Sequence, residues 1–247
     1  MPKPLVDLLW REHPAAPKGG SRGPRTRQPL SAVVAGAIEL ADEFGLDAMT
    51  IRALAQRLGM SPMSLYTHAN SRDDLLVLMA DAAYAAMAPA AYRVADWRDR
   101  VTQVAQAYRT LLLNHPWLLQ IRDPRTALGP GTIARYDHEL RAFDGTQLND
   151  VQRDAALTFV LDFVEAGAAA QLVPTTDFGA VWTESAAALG RYVGEDYPLA
   201  RRVGQAAGAA LGAPYSAADA WRFGFERVLS GLAALIDRPG GDDSPRH

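Results

Sequence analysis

After Pro29 the apolar positions Val33, Val34, Ala37, Ile38, Leu40, Ala41 and Phe44 fall three and four apart, the period of one helix face. Ser31 is placed to cap this helix and Gly45 to stop it. Thr50 then precedes a short helical run to Leu58, with Ile51, Leu54, Ala55 and Leu58 facing inward. Gly59 supplies a tight turn, and Ser61 caps a second short run ending near His68, with Met60, Leu65 and, as one alternative, Met63 inward. Two short helices joined by a glycine turn make a helix-turn-helix. Ser71 caps the next helix, expected to reach about Met87 before Pro89, and Asp73 and Asp74 sit in its first turn, where the helix dipole favours negative charge.

From Asp96 onward the helical period returns and no convincing strand appears. Val101, Val104, Ala105, Tyr108 and Leu112 mark a helix over Trp97 to Asn114, and a short turn from Trp117 to Ile121 lies between Pro116 and Pro124. Ile133, Tyr136, Leu140 and Phe143 mark a helix over Thr132 to Phe143. Asn149 caps a long helix to about Val173 that is apolar nearly all round, including Val151, Leu157, Phe159, Val160 and Val164, so it should be buried on more than one side. Further helices are predicted over 177–193, 199–211 and 217–237. The pattern predicts an all-α chain: a flexible arm (1–29), a three-helix helix-turn-helix domain (30–80), a larger helical domain (81–238) and a flexible tail (239–247).

Composition refines this picture. A chain of 247 residues, 49% hydrophobic and 21% charged, has the balance of an ordinary folded protein. No apolar run approaches the roughly 20 uncharged residues of a membrane helix, and Asp7, Arg11 and Glu12 interrupt the region where a signal peptide needs an apolar core. A cytoplasmic protein without a membrane partner is expected. The absence of cysteine excludes disulfides, a thiolate nucleophile and Cys-type zinc sites.

Charge poses a question. The net charge is −3, and from Leu30 to Ala80 six acidic residues (Glu39, Asp42, Glu43, Asp47, Asp73, Asp74) face three arginines (Arg52, Arg57, Arg72). Residues 1–29 carry +4 instead, and the stretch HPAAPKGGSRGPRTRQP (His13 to Pro29) is Pro-, Gly- and Arg-rich without hydrophobic periodicity. That arm is either a solvated tail or a basic segment that follows a nucleic-acid backbone or enters a minor groove.

The stretch "TIRALAQRLGMSPMSLYTH" carries groups for recognition rather than catalysis: Ser61, Ser64, Tyr66, Thr67 and His68 are placed outward, with types that satisfy phosphate oxygens and base edges. The motifs A-x-x-L-x-x-x-x-G (Ala37 to Gly45), T-x-x-x-L-A-x-x-L-G (Thr50 to Gly59), S-x-x-x-L-Y-x-H (Ser61 to His68) and R-x-x-L-L (Arg72 to Leu76) together resemble the DNA-binding domain of the tetracycline-repressor (TetR) family. The resemblance implies a homodimeric transcription factor that binds a double-stranded DNA operator and is loosened by a small-molecule effector. It implies that Thr50 and Arg52 reach a phosphate and a base, that Ser61, Pro62, Met63 and Ser64 form the variable base-facing start of the recognition helix, and that Tyr66 and His68 lie near the backbone. Arg72 matches the family's usual lysine. Thr67 stands where a second aromatic is common, and Pro62 and Met63 remove side-chain donors from base-reading positions.

Residues 97–237 resemble the family's C-terminal domain more loosely. The last helix carries Trp221, Phe225, Val228, Leu232 and Leu235 on one face and Ala217, Ala220, Gly224, Gly231 and Ala234 on another, which suits a core on one side and a second subunit on the other. Tyr108, Trp117, Tyr136, His138, Phe143 and Trp182 are candidates to line an aromatic effector pocket, and Asp162 and Glu165, set among apolar neighbours, to pair an arginine or a polar ligand group. Core packing competes for each of these residues. The sequence reads as a ligand-responsive repressor released from a palindromic operator by a hydrophobic or aromatic molecule, with no cofactor, metal or catalytic residue. The alternative is an all-helical binding protein or enzyme whose helix-turn-helix is not used on DNA. The five scattered histidines and the lack of an H-E-x-x-H, P-loop or dinucleotide fingerprint speak against an enzyme.

Overall fold

A computed structural model describes residues 3–16, 28–93, 96–173, 176–193, 196–212 and 215–237, and every element among them is helical. The helices are α1 (Leu5–Leu9), α2 (Leu30–Phe44), α3 (Ile51–Arg57), α4 (Pro62–Leu65), α5 (Arg72–Ala86), α6 (Trp97–Asn114), α7 (Pro130–Leu140), α8 (Asp150–Leu172), α9 (Thr176–Val193), α10 (Pro198–Leu211) and α11 (Ala217–Ile236). Short 3-10 turns cover Pro116–Gln120, Pro124–Leu128 and Arg141–Phe143. The chain forms two compact units, Met1–Glu165 and Ala166–His247. The boundary expected after residue 80 therefore falls inside α5, which lies wholly within the first unit.

Thr50, Ser61 and Ser71 cap α3, α4 and α5, each side chain accepting from a backbone amide three residues on. Ser31 does not cap α2: the helix begins at Leu30, and Glu12 Oε1 accepts from Leu30 N at 2.9 Å and Ser31 N at 3.3 Å. A carboxylate from outside the helix thus satisfies its first free amides. Glu12 comes from the segment expected as a mobile arm. Within that segment Leu5–Leu9 is helical with Leu8 and Leu9 buried, Trp10 Nε1 donates to Leu128 O at 2.9 Å, and Lys3 exchanges backbone hydrogen bonds with the Asn70 side chain. Burying two leucines, each worth ~1.5–3 kcal/mol, offsets the ordering entropy that argued for mobility. The arginine-rich residues 17–27 and the tail 239–247 lie outside the described residues. Glu12→Ala should cost about 1 kcal/mol of stability, as cap removal does, and chemical denaturation at pH 7 measures it; an unchanged midpoint would show the cap contributes nothing.

The first unit is organised around α5, whose buried residues include Leu75, Val77, Leu78, Met79, Ala80 and Ala83. It packs on α2 and α1 and, most extensively, on α7. Gly131 permits that last approach, since a Cβ there would lie 2.2 Å from the Asp81 carbonyl oxygen. The buried face of α7 is not the expected stripe: Ile133 and Tyr136 are exposed, while Gly131, Arg135 and Glu139 turn inward. Helix α8 also departs from expectation, burying one stripe (Ala156, Leu157, Val160, Val164, Ala168) and leaving Val151 and Phe159 exposed. By length and composition alone α8 is apolar enough to cross a bilayer, contrary to the expectation from the sequence. Its stripe is covered by protein, however, and its Glu165 is ion-paired with Arg122 at 2.8 Å.

In the second unit Trp221 of α11 packs on Gly167 of α8, where a Cβ would lie 2.5 Å from the indole. Trp221 and Phe225 stack with centroids 5.5 Å apart. Val228, Leu232 and Ile236 are the buried residues of α11, and Leu235 is exposed.

Candidate functional site

Helices α3 and α4 are joined through Gly59, whose φ of 62° is the left-handed conformation that glycine adopts without steric cost. Leu54, Ala55 and Leu65 are buried beneath them. Thr50, Arg52, Ser61, Pro62, Met63, Tyr66 and Thr67 are all exposed, and Ser64 is half-buried. Met63 is outward, with 76% of its surface exposed, so the inward alternative is excluded. Ser61 and Ser64 share a 2.8 Å hydroxyl hydrogen bond, and Thr67 Oγ1 donates to Ser64 O, so these groups are already oriented.

Two expected contact residues are occupied elsewhere. Arg72 donates from Nε to Met49 O at 3.0 Å and from Nη2 to Leu46 O at 2.9 Å, clamping the turn between α2 and α3. His68 is only 2% exposed, and neither ring nitrogen has a hydrogen-bond partner. The turn after α4 places its side chain inside the domain rather than outward as expected.

The acidity of this domain is resolved by ion pairs off the α3–α4 face. Glu39 and Glu43 of α2 both pair with Arg57, at 3.4 and 2.9 Å. Asp42 accepts from Trp117 Nε1 at 2.6 Å and lies 2.8 Å from His115 Nδ1. Asp74 pairs with Arg125 at 2.8 Å. Of the six carboxylates, four are thus committed to partners that hold the helices together.

At the other end of α5, a cavity of about 270 Å³ lies between α5 and α7, lined by Tyr84, Met87, Pro89, Gly131, Arg135 and His138 among others. Arg135 is sandwiched between the Tyr84 and Tyr108 rings, its Cζ 4.6 and 4.0 Å from their centroids, and donates from Nε to Glu139 Oε1 at 2.9 Å. Its side chain is 8% exposed and that of Glu139 is 2% exposed. Burial raises the Glu139 carboxyl above its ordinary range, against the pull of Arg135. Burial also works against the Arg135 charge, but Glu139 and the two phenols outweigh it and raise its pKa. Tyr108 OH donates to Glu165 Oε1 at 2.7 Å, and burial pushes the phenol well up.

Of the expected pocket residues, His138 lines this cavity, stacked on Tyr92 at 4.6 Å and bonded through Nε2 to Ala90 O. Tyr108 and Glu165 lie in the network beside it. Trp117 and Phe143 are fully buried in the core, Tyr136 is exposed and donates to Asp154, and Asp162 is exposed. Core packing and solvent account for these four. Trp182 belongs to the second unit. Arg135 and Glu139 were not expected in the site.

Two family models match this chain: residues 33–79 match the bacterial regulatory proteins of the tetR family, and residues 89–236 the tetracyclin repressor-like C-terminal domain. The chain belongs to the TetR family. It is a DNA-binding transcriptional regulator, and α3–α4 is its helix-turn-helix. Among its relatives, the HTH-type transcriptional repressor DrrR1 of Streptomyces coeruleorubidus is 28% identical across 97% of this chain and 88% of that protein. Apo ActR from Streptomyces coelicolor shares the fold with a TM-score of 0.68 and 24% identity, over 85% of this chain and 99% of that one, and has also been solved with actinorhodin. BioQ with its natural double-stranded DNA operator matches at a TM-score of 0.52 and 23% identity, over 62% of this chain and 93% of that one.

In this TetR-family chain the buried His68 sets a pH dependence. The unfolded imidazole takes a proton near pH 6.5; in the fold, burial first and then the charges of Arg11 and Lys3 keep it neutral to lower pH, with Glu12 opposing. The unfolded state therefore binds more protons in that window, so stability falls as pH drops from about 7, by at most ~1.4 kcal/mol per unit. His68→Leu should flatten this slope, as read by urea denaturation at pH 7.5 and 5.5. Equal slopes for both proteins would overturn the assignment.

Proposed function

We propose that this regulator is a cytoplasmic homodimeric repressor that holds a palindromic operator through paired α3–α4 faces and releases it when a small hydrophobic or aromatic molecule occupies the cavity between α5 and α7. One observation carries the reading: α5 is shared by both ends of the device. Its N-terminal Arg72 and Asp74 hold the helix-turn-helix and the Pro124–Leu128 turn, while Asp81 Oδ1 accepts from Thr132 N at 2.7 Å and Thr132 Oγ1 at 3.1 Å, gripping the start of α7 beside the cavity. A ligand that distinguishes two settings of α7 against α5 changes DNA affinity, and DNA changes ligand affinity by the same factor.

Dimerisation is supported by α11, which leaves the small residues Ala220, Gly231 and Ala234 exposed where a second helix can approach closely, with Phe223 an exposed apolar side chain on the same helix. The repressor DrrR1, ActR with actinorhodin and BioQ with operator DNA motivate the same assignment for this chain. Selection from random duplexes, followed by footprinting and sedimentation, tests it. A two-fold site bound by a dimer is expected; recovery of no enriched site sinks the reading.

The basic residues Lys18, Arg22, Arg25 and Arg27 supply part of the phosphate contact in this proposal. Replacing all four with serine should lower the slope of log affinity against log salt by roughly 0.9 per lost phosphate contact while leaving site preference intact. An unchanged slope would make the segment a solvated linker.

A further inference from the structure

The cavity between α5 and α7 holds a charge that its walls leave incompletely satisfied. Arg135 lines the cavity, its side chain is more than nine-tenths buried, and its only hydrogen bond among the described residues is Nε to Glu139. The two terminal nitrogens therefore present N–H donors without an acceptor among the described residues. A guanidinium in a largely apolar site gains most from a charged acceptor, and its planar fork matches the two oxygens of a carboxylate. Glu139 takes one edge of that fork and leaves the other open.

The remaining walls say what the rest of such a ligand looks like. Tyr84 and His138 offer ring faces and edges, and Met87, Pro89 and Ala134 an apolar surface. Tyr92 holds the far side in place: its backbone has a φ of 42°, an unusual setting for a bulky residue, maintained by its ring stacked on His138 and its hydroxyl donating to His138 O at 3.1 Å. At about 270 Å³ the space lies just under the roughly 300 Å³ lower end for drug-sized sites, so it suits a one- or two-ring molecule or the acidic end of a larger one.

We propose that the effector of this regulator is an aromatic acid, its carboxylate bound by the open edge of Arg135 and its ring between Tyr84, Met87 and His138. The proposal rests on the reading of this cavity as the effector site. It also gives the Arg135–Glu139 pair a role: Glu139 neutralises the guanidinium and holds it fixed before the ligand arrives, and the ligand becomes its second anion.

Calorimetry on the full chain tests this with benzoate, salicylate and 2-naphthoate against the matching neutral amides, benzamide, salicylamide and 2-naphthamide. At least one acid should bind at least ~30-fold more tightly than its amide, since a charged acceptor on a buried arginine is worth about 2 kcal/mol more than a neutral one. In the double variant Arg135→Gln/Glu139→Gln, which keeps a neutral hydrogen-bonding pair, that preference should fall to within ~3-fold. Equal binding of acid and amide by the wild type, no detectable binding of any acid at millimolar concentration, or an undiminished preference in the double variant each overturns the proposal. The wild-type comparison decides by itself if the variant does not fold. A parallel operator-release assay separates the two levels: release by neutral aromatics without acid preference removes the acid assignment and leaves the effector-responsive repressor standing.

Discussion

Met63→Glu should lower operator affinity by at least ~100-fold, roughly 3 kcal/mol, without lowering the thermal midpoint of the free protein. Met63 lies one residue after Pro62 at the start of α4 and is 76% exposed, so the new carboxylate meets only solvent in the free protein. Exposed substitutions of this kind stay within about ±0.5 kcal/mol of wild-type stability. On DNA the same carboxylate enters a groove flanked by phosphates, where it adds repulsion and cannot replace the methyl contacts of the thioether. Fluorescence anisotropy on the selected duplex and a melting curve on the free protein give the two readings. Affinity within ~3-fold of wild type would mean that α4 does not face the groove, and the proposed docking would fall.

Glu139→Ala should destabilise the chain by about 3–5 kcal/mol, because it leaves the Arg135 charge buried without its counter-ion. For a protein of this size such a loss lowers the thermal midpoint by roughly 10 °C. The apolar double replacement Arg135→Met/Glu139→Leu should recover most of this, since the pair itself contributes little beyond neutralising two desolvation costs. That contrast separates a pair retained for function from one retained for stability. A Glu139→Ala protein within 1 kcal/mol of wild type would show that water or a rearranged Arg135 side chain satisfies the charge, and the pre-set guanidinium edge would lose its support.

The helix-turn-helix was legible because its determinants are local. Thr50, Ser61 and Ser71 each cap the helix that follows, Gly59 turns the chain, and Leu54 and Leu65 carry the buried face, all within hydrogen-bonding or one-turn distance in the sequence. The exposed recognition residues follow from the same period. The buried ends of that period do not: His68 follows polar neighbours that face outward, though the S-x-x-x-L-Y-x-H spacing puts it three residues after Leu65, on the inward side. Leu5, Leu8 and Leu9 also carried a helical spacing that the proline and arginine content of the following residues obscured.

The cavity between α5 and α7 was barely legible. Aromatic residues were the candidates, yet Trp117 and Phe143 went to the core and Tyr136 to the surface, while the cavity's charge came from Arg135. Amphipathic reasoning puts a charged i, i+4 pair on the solvent side of α7 and Ile133 on the core side. The fold inverts that assignment because Gly131 brings α7 against α5, and Tyr84 and Tyr108 then lie on either side of the guanidinium.

The all-helical class, the order of the helices, the helix-turn-helix with its caps and outward face, and the family are written in local patterns, since each depends on residues a few positions apart. Which acidic groups are neutralised, that Glu12 caps α2, that Arg72 and His68 are held within the fold, and that Arg135 faces a cavity emerge from the assembled helices. Each of these depends on partners brought together from 14 to more than 70 residues away, or on which face of a helix is covered, as Glu43 with Arg57, Glu12 with Leu30 and Asp42 with Trp117 and His115 illustrate. Burial and pairing are properties of that assembled neighbourhood, and periodicity along one helix does not contain them.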